Sequence, residues 1–215
     1  MMKDTELRQA VIDELNWEPS LNAALIGVTA NDGVITLTGT VSSYAEKHAA
    51  ESAAGRLAGV KAVVEDLKVQ YPPQTADDDV GLAKRAAQVL AWDIRVPGTV
   101  KIRVEKGLVT LSGEVHWKFQ KDEAEADVRK LSGVVGVINE IAIRPVVKAP
   151  AVRDKIKAAL SRNAQLEAEH ITVIADGGKV TLRGDVDSWL ERDIAENTAW
   201  SAPGVTQVDN QLTVS

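Results

Sequence analysis

Histidine side chains with acidic neighbours are the first residues to consider for chemistry, because the sequence contains no cysteine. The three histidines, His48, His116 and His170, lie far apart, and none has a second ligand at the spacing of a zinc site. Glu114 and His116 would share a face of a strand and could hold a metal ion weakly, but a solvated pair is favoured. The acidic run 77–79 lacks the glycine and distal glutamate of a calcium-binding loop. A helix cap within a solvated linker is the favoured interpretation there.

No other pattern in the chain indicates catalysis. A Ser-His-acid triad can be composed from any chain with three histidines, so spacing alone supports none. No glycine-rich loop that could hold a phosphate is present. The sequence therefore predicts a protein that is not an enzyme and that uses no metal ion and no cofactor.

Composition and charge exclude further classes of protein. The chain has 215 residues and a formal net charge of −6, which is not the basic footprint of a nucleic-acid-binding protein. Its charged start lacks the apolar core of a secretory signal, and no cysteine is available for a lipid anchor. No apolar run approaches the roughly 18 residues needed to span a bilayer. We expect a cytoplasmic protein with no transmembrane segment and no nucleic-acid partner.

A nine-residue segment that occurs three times organises the chain. The copies are Gly33–Val41 (GVITLTGTV), Gly107–Val115 (GLVTLSGEV) and Gly178–Val186 (GKVTLRGDV). The second glycines of the copies, at 39, 113 and 184, are 74 and then 71 residues apart. This period is the size of a small domain rather than a solenoid turn. We place three domains at 1–71, 77–145 and 149–215, joined by proline-containing linkers.

Each repeat has the order helix, strand, strand, helix, strand. In the first copy Leu7, Val11 and Leu15 recur at helical spacing, and the residues 31–33 form a hairpin-type turn. The repeated segment then alternates apolar and polar side chains, as a half-buried strand does. An alanine-rich helix follows and ends at a glycine. Structural roles are assigned to six glycines: Gly39, Gly59, Gly113, Gly133, Gly184 and Gly204.

Two positions in each copy break the strand pattern. The second glycine of the repeated segment lies on the packed face, where it weakens a strand unless something approaches the backbone. We predict that a helix makes this approach. The last strand has a polar residue on its inward face in each copy, namely Glu65, Asn139 and Asn210. A bulge or a hydrogen bond to the backbone is favoured there, and a shared ligand site is the alternative.

The full pattern resembles a known family. It reads G-x-V-x-L-x-G-x-V, then an alanine-rich helix, then G-V-x-x-V-x-N-x-[LI]-x-[VI], and it is similar to the BON domain of bacterial osmotically induced and nodulation proteins. The second part of the pattern falls on Gly59–Val69, Gly133–Ile143 and Gly204–Val214. The first copy has Glu65 in place of the asparagine. The three copies cover nearly the whole chain.

This resemblance implies both a fold and a type of function. The implied fold class is α+β, with three tandem αββαβ sandwiches. Each sandwich has two helices packed on one face of a three-stranded mixed sheet. The implied function is binding of phospholipid surfaces or other envelope components in osmotic and general stress, with no catalytic motif.

Aromatic residues form the first candidate binding feature. Those near the predicted starts of the second helices are Tyr44, Trp117, Phe119 and Trp189. Amphipathic aromatic side chains suit a membrane interface or a partner groove. The favoured alternative is that each covers its own helix–sheet junction. We expect the remaining candidates, Trp17, Trp92 and Trp200, in the cores or between domains.

Basic residues of the middle repeat form the second candidate feature. They are Lys101, Arg103, Lys106, Lys118 and Lys121. Near an anionic leaflet each such charge contributes about 1 kcal/mol, provided that the side chains share a face. Together with Trp117 and Phe119 they form the predicted lipid-binding set, and an ordinary charged surface is the alternative.

Two hypotheses of function remain open. The first is a module that binds anionic phospholipid or envelope components. The second is a protein-interaction or self-assembly scaffold that forms a homo-oligomer or binds an envelope protein, because open sheet edges can pair with another chain.

Overall fold

The computed structural model describes residues 3–71, 79–144, 152–163 and 168–214, and these form three modules of one design. The fold class is confirmed as α+β: the described residues contain six α-helices and a mixed three-stranded sheet in each module. The predicted linkers lie almost wholly outside the described residues, as do the predicted domain limits at 1, 77, 145, 149 and 215.

The first module contains α1 (Asp4–Trp17), β1 (Ile26–Asn31), β2 (Val34–Val41), α2 (Tyr44–Gly55) and β3 (Ala62–Val69). The middle module contains α3 (Asp79–Trp92), β4 (Lys101–Glu105), β5 (Leu108–Ser112), β6 (Glu114–Val115), α4 (Lys118–Arg129), β7 (Gly136–Asn139) and β8 (Ala142–Ile143). The last module contains α5 (Val152–Leu160), β9 (Ile171–Asp176), β10 (Lys179–Val186), α6 (Trp189–Trp200) and β11 (Gln207–Val214).

The repeated segment is the central strand of every sheet. In the first module β2 pairs antiparallel with β1 and parallel with β3. The last module has the same order around β10, and the middle module has it around β5. In the middle module β6 and β8 continue β5 and β7 in the same register, because Leu111 lies opposite Asn139 and Glu114 lies opposite Ala142.

Both helices of a module pack on one face of its sheet. In the first module Leu7, Val11 and Leu15 of α1 are buried against Ile35 and Leu37 of β2, together with the alanines of α2. Alanine allows the helix to approach the sheet closely, and burial of the aliphatic side chains stabilises each core by about 25 cal/mol per Å² of apolar surface. Within the described ranges, no helix is both long enough and apolar enough to cross a membrane.

In the first and middle modules, an aspartate at the start of the first helix accepts hydrogen bonds from the turn between the first two strands. Asp4 accepts hydrogen bonds from the backbone N–H groups of Asp32 (2.9 Å) and Gly33 (3.2 Å). Asp79 accepts the equivalent bonds from Lys106 (2.7 Å) and Gly107 (2.9 Å). Asp79 therefore begins α3 and also binds the β4–β5 turn, whereas the other two aspartates of the acidic run lie outside the described residues.

The predicted approach of a helix to the second glycine is wrong for the α-helices, because a backbone carbonyl oxygen makes this approach; in the first and last modules it belongs to the last residue of a short 3-10 helix, Ala23–Leu25 or Ala168–His170. A Cβ atom on Gly113 would lie 2.3 Å from the carbonyl oxygen of Thr99, just before β4, and Gly113 has a φ of +121°. The equivalent distances are 2.1 Å from Gly39 to Leu25 and 1.9 Å from Gly184 to His170. The residue just before the outer hairpin strand directs its carbonyl oxygen at this glycine, which leaves no room for a side chain.

The polar residue of the last strand bonds to the backbone. The Asn139 amide donates to the carbonyl of Lys121 (2.9 Å) and to Glu125 (3.1 Å), and its oxygen accepts from the Ile141 N–H (3.3 Å). Asn210 repeats this arrangement in the last module. In the first module Glu65 accepts from the Leu67 N–H and pairs with Lys47 at 2.8 Å. The register through these residues is unbroken, so no bulge is present.

Candidate binding surface of the middle module

The start of α4 exposes two aromatic side chains. Gln120 accepts hydrogen bonds from the backbone N–H groups of His116 (3.0 Å) and Trp117 (3.1 Å), whereas serine side chains cap α2 and α6. Trp117 stands where a serine caps α2 and α6 and makes no capping hydrogen bond with its side chain, so the Gln120 side chain holds only the two backbone N–H groups that precede the helix. Trp117 is 40% exposed and Phe119 is 50% exposed.

The end of α3 exposes two more apolar side chains. Trp92 is 75% exposed and Ile94 is 100% exposed. The expectation that Trp92 and its counterpart Trp17 are in a core or between domains is wrong, because Trp17 is 84% exposed. Each tryptophan lies two residues after the last buried leucine of its helix, a rotation of about 200°, which turns it away from the core.

A side chain of the loop after α3 forms a hydrogen bond to α4. Arg95 donates to Glu123 of α4 (2.6 Å) and also to Asp93 (2.9 Å). These bonds from Arg95 lower the pKa of the Asp93 carboxyl. Burial raises the pKa of Asp127, which lies beside Asp93, and the nearby charge of Asp93 raises it further. The loop and the first two turns of α4 therefore form one connected end of the module.

We call this surface the aromatic end of the middle module. It consists of Trp92, Ile94, Trp117 and Phe119. The chain order places all four at the same end, because α3 ends there, β4 begins there and α4 begins there. Several exposed apolar side chains at one end of a module make a candidate binding surface, whereas apolar residues exposed singly are ordinary.

The structure separates the predicted basic residues into different places. Lys101 and Arg103 are exposed on β4, while Ile102 and Val104, which alternate with them, pack against the core. The two cations therefore lie on the face of the sheet away from the helices. Lys106 lies in the β4–β5 turn, at the opposite end of the module from the aromatic end.

The two lysines of α4 have local partners. The Lys118 ammonium pairs with Asp122 at 2.6 Å. The Lys121 ammonium donates to the carbonyl oxygen of Ile141 at 3.0 Å in a half-buried position. The five predicted cations therefore do not share one face, and Lys101, at the start of β4, is the one on the open face of the sheet nearest the aromatic end.

The other two aromatic residues at helix starts lie between modules. Tyr44 packs against the core of the middle module, and Trp189 packs against the core of the first module. The Arg192 guanidinium lies over the Trp189 ring, 5.1 Å from its centre. Trp200 packs against the core of its own module. The sequence identified these aromatics as a class but gave no signal of which neighbour each would contact.

The histidine and acidic residues considered for chemistry have other partners. Glu114 pairs with Arg144 at 2.9 Å, and the His116 ring lies 2.9 Å from the Arg144 carbonyl oxygen. In the part of the chain that the structure describes, no three histidine or acidic side chains are grouped to hold a metal ion.

These observations define a class of protein built from repeated αββαβ modules, with exposed apolar and basic side chains at the module ends and on the open sheet faces. The chain belongs to the BON domain family, whose sequence profile matches residues 3–71, 78–145 and 149–215. The resemblance that the sequence suggested is thereby confirmed.

Two individual proteins are similar to this chain at less than 30% sequence identity. Osmotically-inducible protein Y of Escherichia coli K12 is 29% identical over 181 residues, covering 80% of this chain and 88% of its own length. Outer membrane lipoprotein DolP of Haemophilus influenzae is 27% identical over 152 residues, covering 66% and 78%. A solved structure of CdsD, a structural protein of the Chlamydia trachomatis type III secretion system, is 16% identical and covers 96% and 91%, with a TM-score of 0.27. This score is too low to support any argument.

Proposed function

We propose that this chain is a non-enzymatic, stress-associated binding protein, and that its middle module binds anionic phospholipid surfaces of the bacterial envelope. The observation that carries the proposal is the aromatic end, where Ile94 is fully exposed at the same end of the module as the exposed Trp92, Trp117 and Phe119. Lys101 and Arg103 on the adjoining strand supply the positive charge.

The physical basis is a combination of apolar and electrostatic terms. Tryptophan rings are favoured at the boundary between headgroups and acyl chains, since they have an apolar body and a polar N–H group. Each lysine or arginine near an anionic surface adds about 1 kcal/mol. Charges are screened beyond about 8 Å at physiological salt, so a local cation acts despite the net negative charge of the chain.

The names of two relatives support a role in stress and at the cell envelope. The Escherichia coli relative is named for osmotic induction, and the Haemophilus influenzae relative is named as an outer membrane lipoprotein. On this basis we propose a role in stress physiology at the envelope. The cytoplasmic location stays a prediction, and recovery of the protein in a periplasmic or membrane fraction of fractionated cells would contradict it.

Flotation with vesicles tests the proposal. The probe is vesicles of phosphatidylglycerol and phosphatidylcholine, compared with pure phosphatidylcholine at low and high salt. The double variant Trp92→Ser/Ile94→Ser should lose flotation, and Lys101→Glu/Arg103→Glu should lose it at low salt. Trp17→Ser is the matched control, because it removes an equally exposed tryptophan from the same helix position of the first module. Flotation that none of these changes affects would refute the proposal.

A second candidate function is a protein-interaction or self-assembly scaffold. The observation that favours it is an exposed aliphatic side chain on the open face of each sheet: Val64, Ile138 and Ile174. Such faces and the outer strands beside them can contact another chain. Light scattering after size exclusion tests this candidate. A monomer at high concentration that retains no envelope protein in a pull-down would contradict it.

A further inference from the structure

The three modules contact one another through equivalent parts of their second helices. The first module contacts the middle module through the start of α2. Tyr44, the first residue of α2, packs against the core of the middle module, and the Tyr71 hydroxyl donates to the Val134 carbonyl. His48, one turn further along α2, lies close enough to Arg129 and Glu125 of α4 for their charges to affect its pKa.

The middle and last modules face each other through the equivalent parts of their second helices, across a groove rather than through an aromatic side chain packed on a core. The start of α4 and the end of α6 line a common groove of about 340 Å³. Lys118, Phe119 and Asp122 lie on one side, and Asn197 and Trp200 lie on the other. Asp122 is the counterpart of His48, and Trp200 is the counterpart of Arg129, given the repeat offsets of 74 and 71 residues.

The last module contacts the first module, which is the third contact between modules. Trp189, the first residue of α6, packs against the core of the first module. A groove of about 610 Å³ separates the start of α6 from the end of α2, with Leu190 and Asp193 facing Ser52 and Arg56. Ser52 is the counterpart of Asn197, so this groove repeats the one between the middle and last modules.

We propose that the second helix of each module carries a donor surface at its start and an acceptor surface at its end, and that the three modules close head to tail into a ring. The donor surface is the first five residues of the second helix, with the residue that caps it. The acceptor surface is the last turns of the second helix with the start of the following strand. The partner of every donor is thus another copy of the same module.

Closure has a direct consequence for association. A head-to-tail contact between identical units gives either a closed ring or an open filament. Three modules in one chain use all three donors and all three acceptors internally. The intact chain therefore has no free surface of this kind, whereas a chain opened at one contact has one donor and one acceptor to offer to a second copy. This inference does not depend on lipid binding.

The absence of cysteine in the native sequence allows a direct test of closure. A Leu190→Cys/Ser52→Cys pair lies across the groove between the last and first modules, and a flexible bis-maleimide should cross-link it within one chain at a rate independent of protein concentration. A Leu190→Cys/Thr29→Cys pair is the control, because Thr29 lies on the open sheet face of the first module. Cross-linking of both pairs at the same concentration-dependent rate would overturn the ring.

Two variants test the donor and acceptor surfaces separately. Trp189→Ser removes a donor that packs on the neighbouring core and not on its own, and Ser52→Trp blocks the matching acceptor at an exposed helix position. Each variant should keep its circular dichroism spectrum, stay monomeric and increase its radius of gyration in small-angle X-ray scattering. Trp17→Ser should leave the scattering unchanged.

Mixing the two variants tests the identity of the partner. The Ser52→Trp chain keeps a free Trp189 donor, and the Trp189→Ser chain keeps a free acceptor on α2. The mixture should therefore form a one-to-one complex in sedimentation velocity that neither variant forms alone. If the variants scatter identically to the native chain, the ring is refuted. If the mixture stays monomeric at the highest attainable concentration, the proposal that each donor binds a copy of the same module is refuted.

Discussion

Replacing Gly113 by alanine should destabilise the middle module more than any other single-methyl change in it. The φ of +121° is unfavourable for a residue with a side chain, which costs about 1–3 kcal/mol. The added Cβ atom would lie 2.3 Å from the Thr99 carbonyl oxygen, so the chain before β4 must move. Overpacking of this kind costs about 1–3 kcal/mol. The sum is about 2–6 kcal/mol.

This loss is large for a module of this size. Globular domains have a free energy of unfolding of about 0.05–0.15 kcal/mol per residue, which gives about 4–10 kcal/mol for roughly 70 residues. Urea unfolding, followed by tryptophan fluorescence and circular dichroism, measures the change. With a urea dependence of about 1 kcal/mol per M, the midpoint of the middle module should fall by about 2 M or more.

Gly98→Ala is the matched control for this prediction. A Cβ atom at Gly98 has no heavy atom within 4 Å among those the structure describes, and the residue has no positive φ. Its free energy of unfolding should change by less than about 0.5 kcal/mol. The reasoning is refuted if Gly113→Ala and Gly98→Ala unfold at the same urea concentration.

Three further changes test the local arguments. Asn139→Ala should lower the free energy of unfolding by about 1–3 kcal/mol, because the Ile141 N–H loses its acceptor; an unchanged urea midpoint would contradict this. Gln120→Ala should lower the free energy of unfolding by about 1 kcal/mol, because the His116 and Trp117 N–H groups lose their acceptor, and Gln120→Glu should retain most of this stability in the same assay. Burial, reinforced by the charge of Arg129 and opposed by Glu125, lowers the pKa of His48, so the native state favours the neutral ring. Stability should therefore fall as the pH drops below about 6.5, and His48→Gln should remove that part of the pH dependence of thermal unfolding.

The order of elements was predictable because it depends on local periodicity. The alternation in β2 and the helical spacing of Leu7, Val11 and Leu15 each follow from which side of one element is buried. Local periodicity does not show which residue from elsewhere in the chain a buried residue contacts. The sequence shows that Gly113 needs space, but only the path of the chain before β4 shows that a carbonyl oxygen fills it. Similarly, the sequence finds Tyr44 at a helix start and does not show that it contacts the next module.

The middle module differs from its neighbours at the position that matters for both proposals. The first residue of the second helix is aromatic in the first and last modules, where Tyr44 and Trp189 pack against a neighbouring core. In the middle module this residue is Lys118, and aromatic residues occupy the positions before and after it, as Trp117 and Phe119. Trp117 and Phe119 consequently line the groove to the last module while staying exposed.

These two side chains therefore face two competing partners. Insertion of Trp117 and Phe119 into a lipid surface would remove them from the groove beside Trp200, whereas Trp92 and Ile94 line neither of the two inter-module grooves described above. Lipid binding that depended only on Trp92 and Ile94 would leave the ring closed. Lipid binding that depended on Trp117 and Phe119 would open it at the contact between the middle and last modules. This contact has a lysine where the other two have an aromatic anchor, and it is therefore the contact at which the ring should open first.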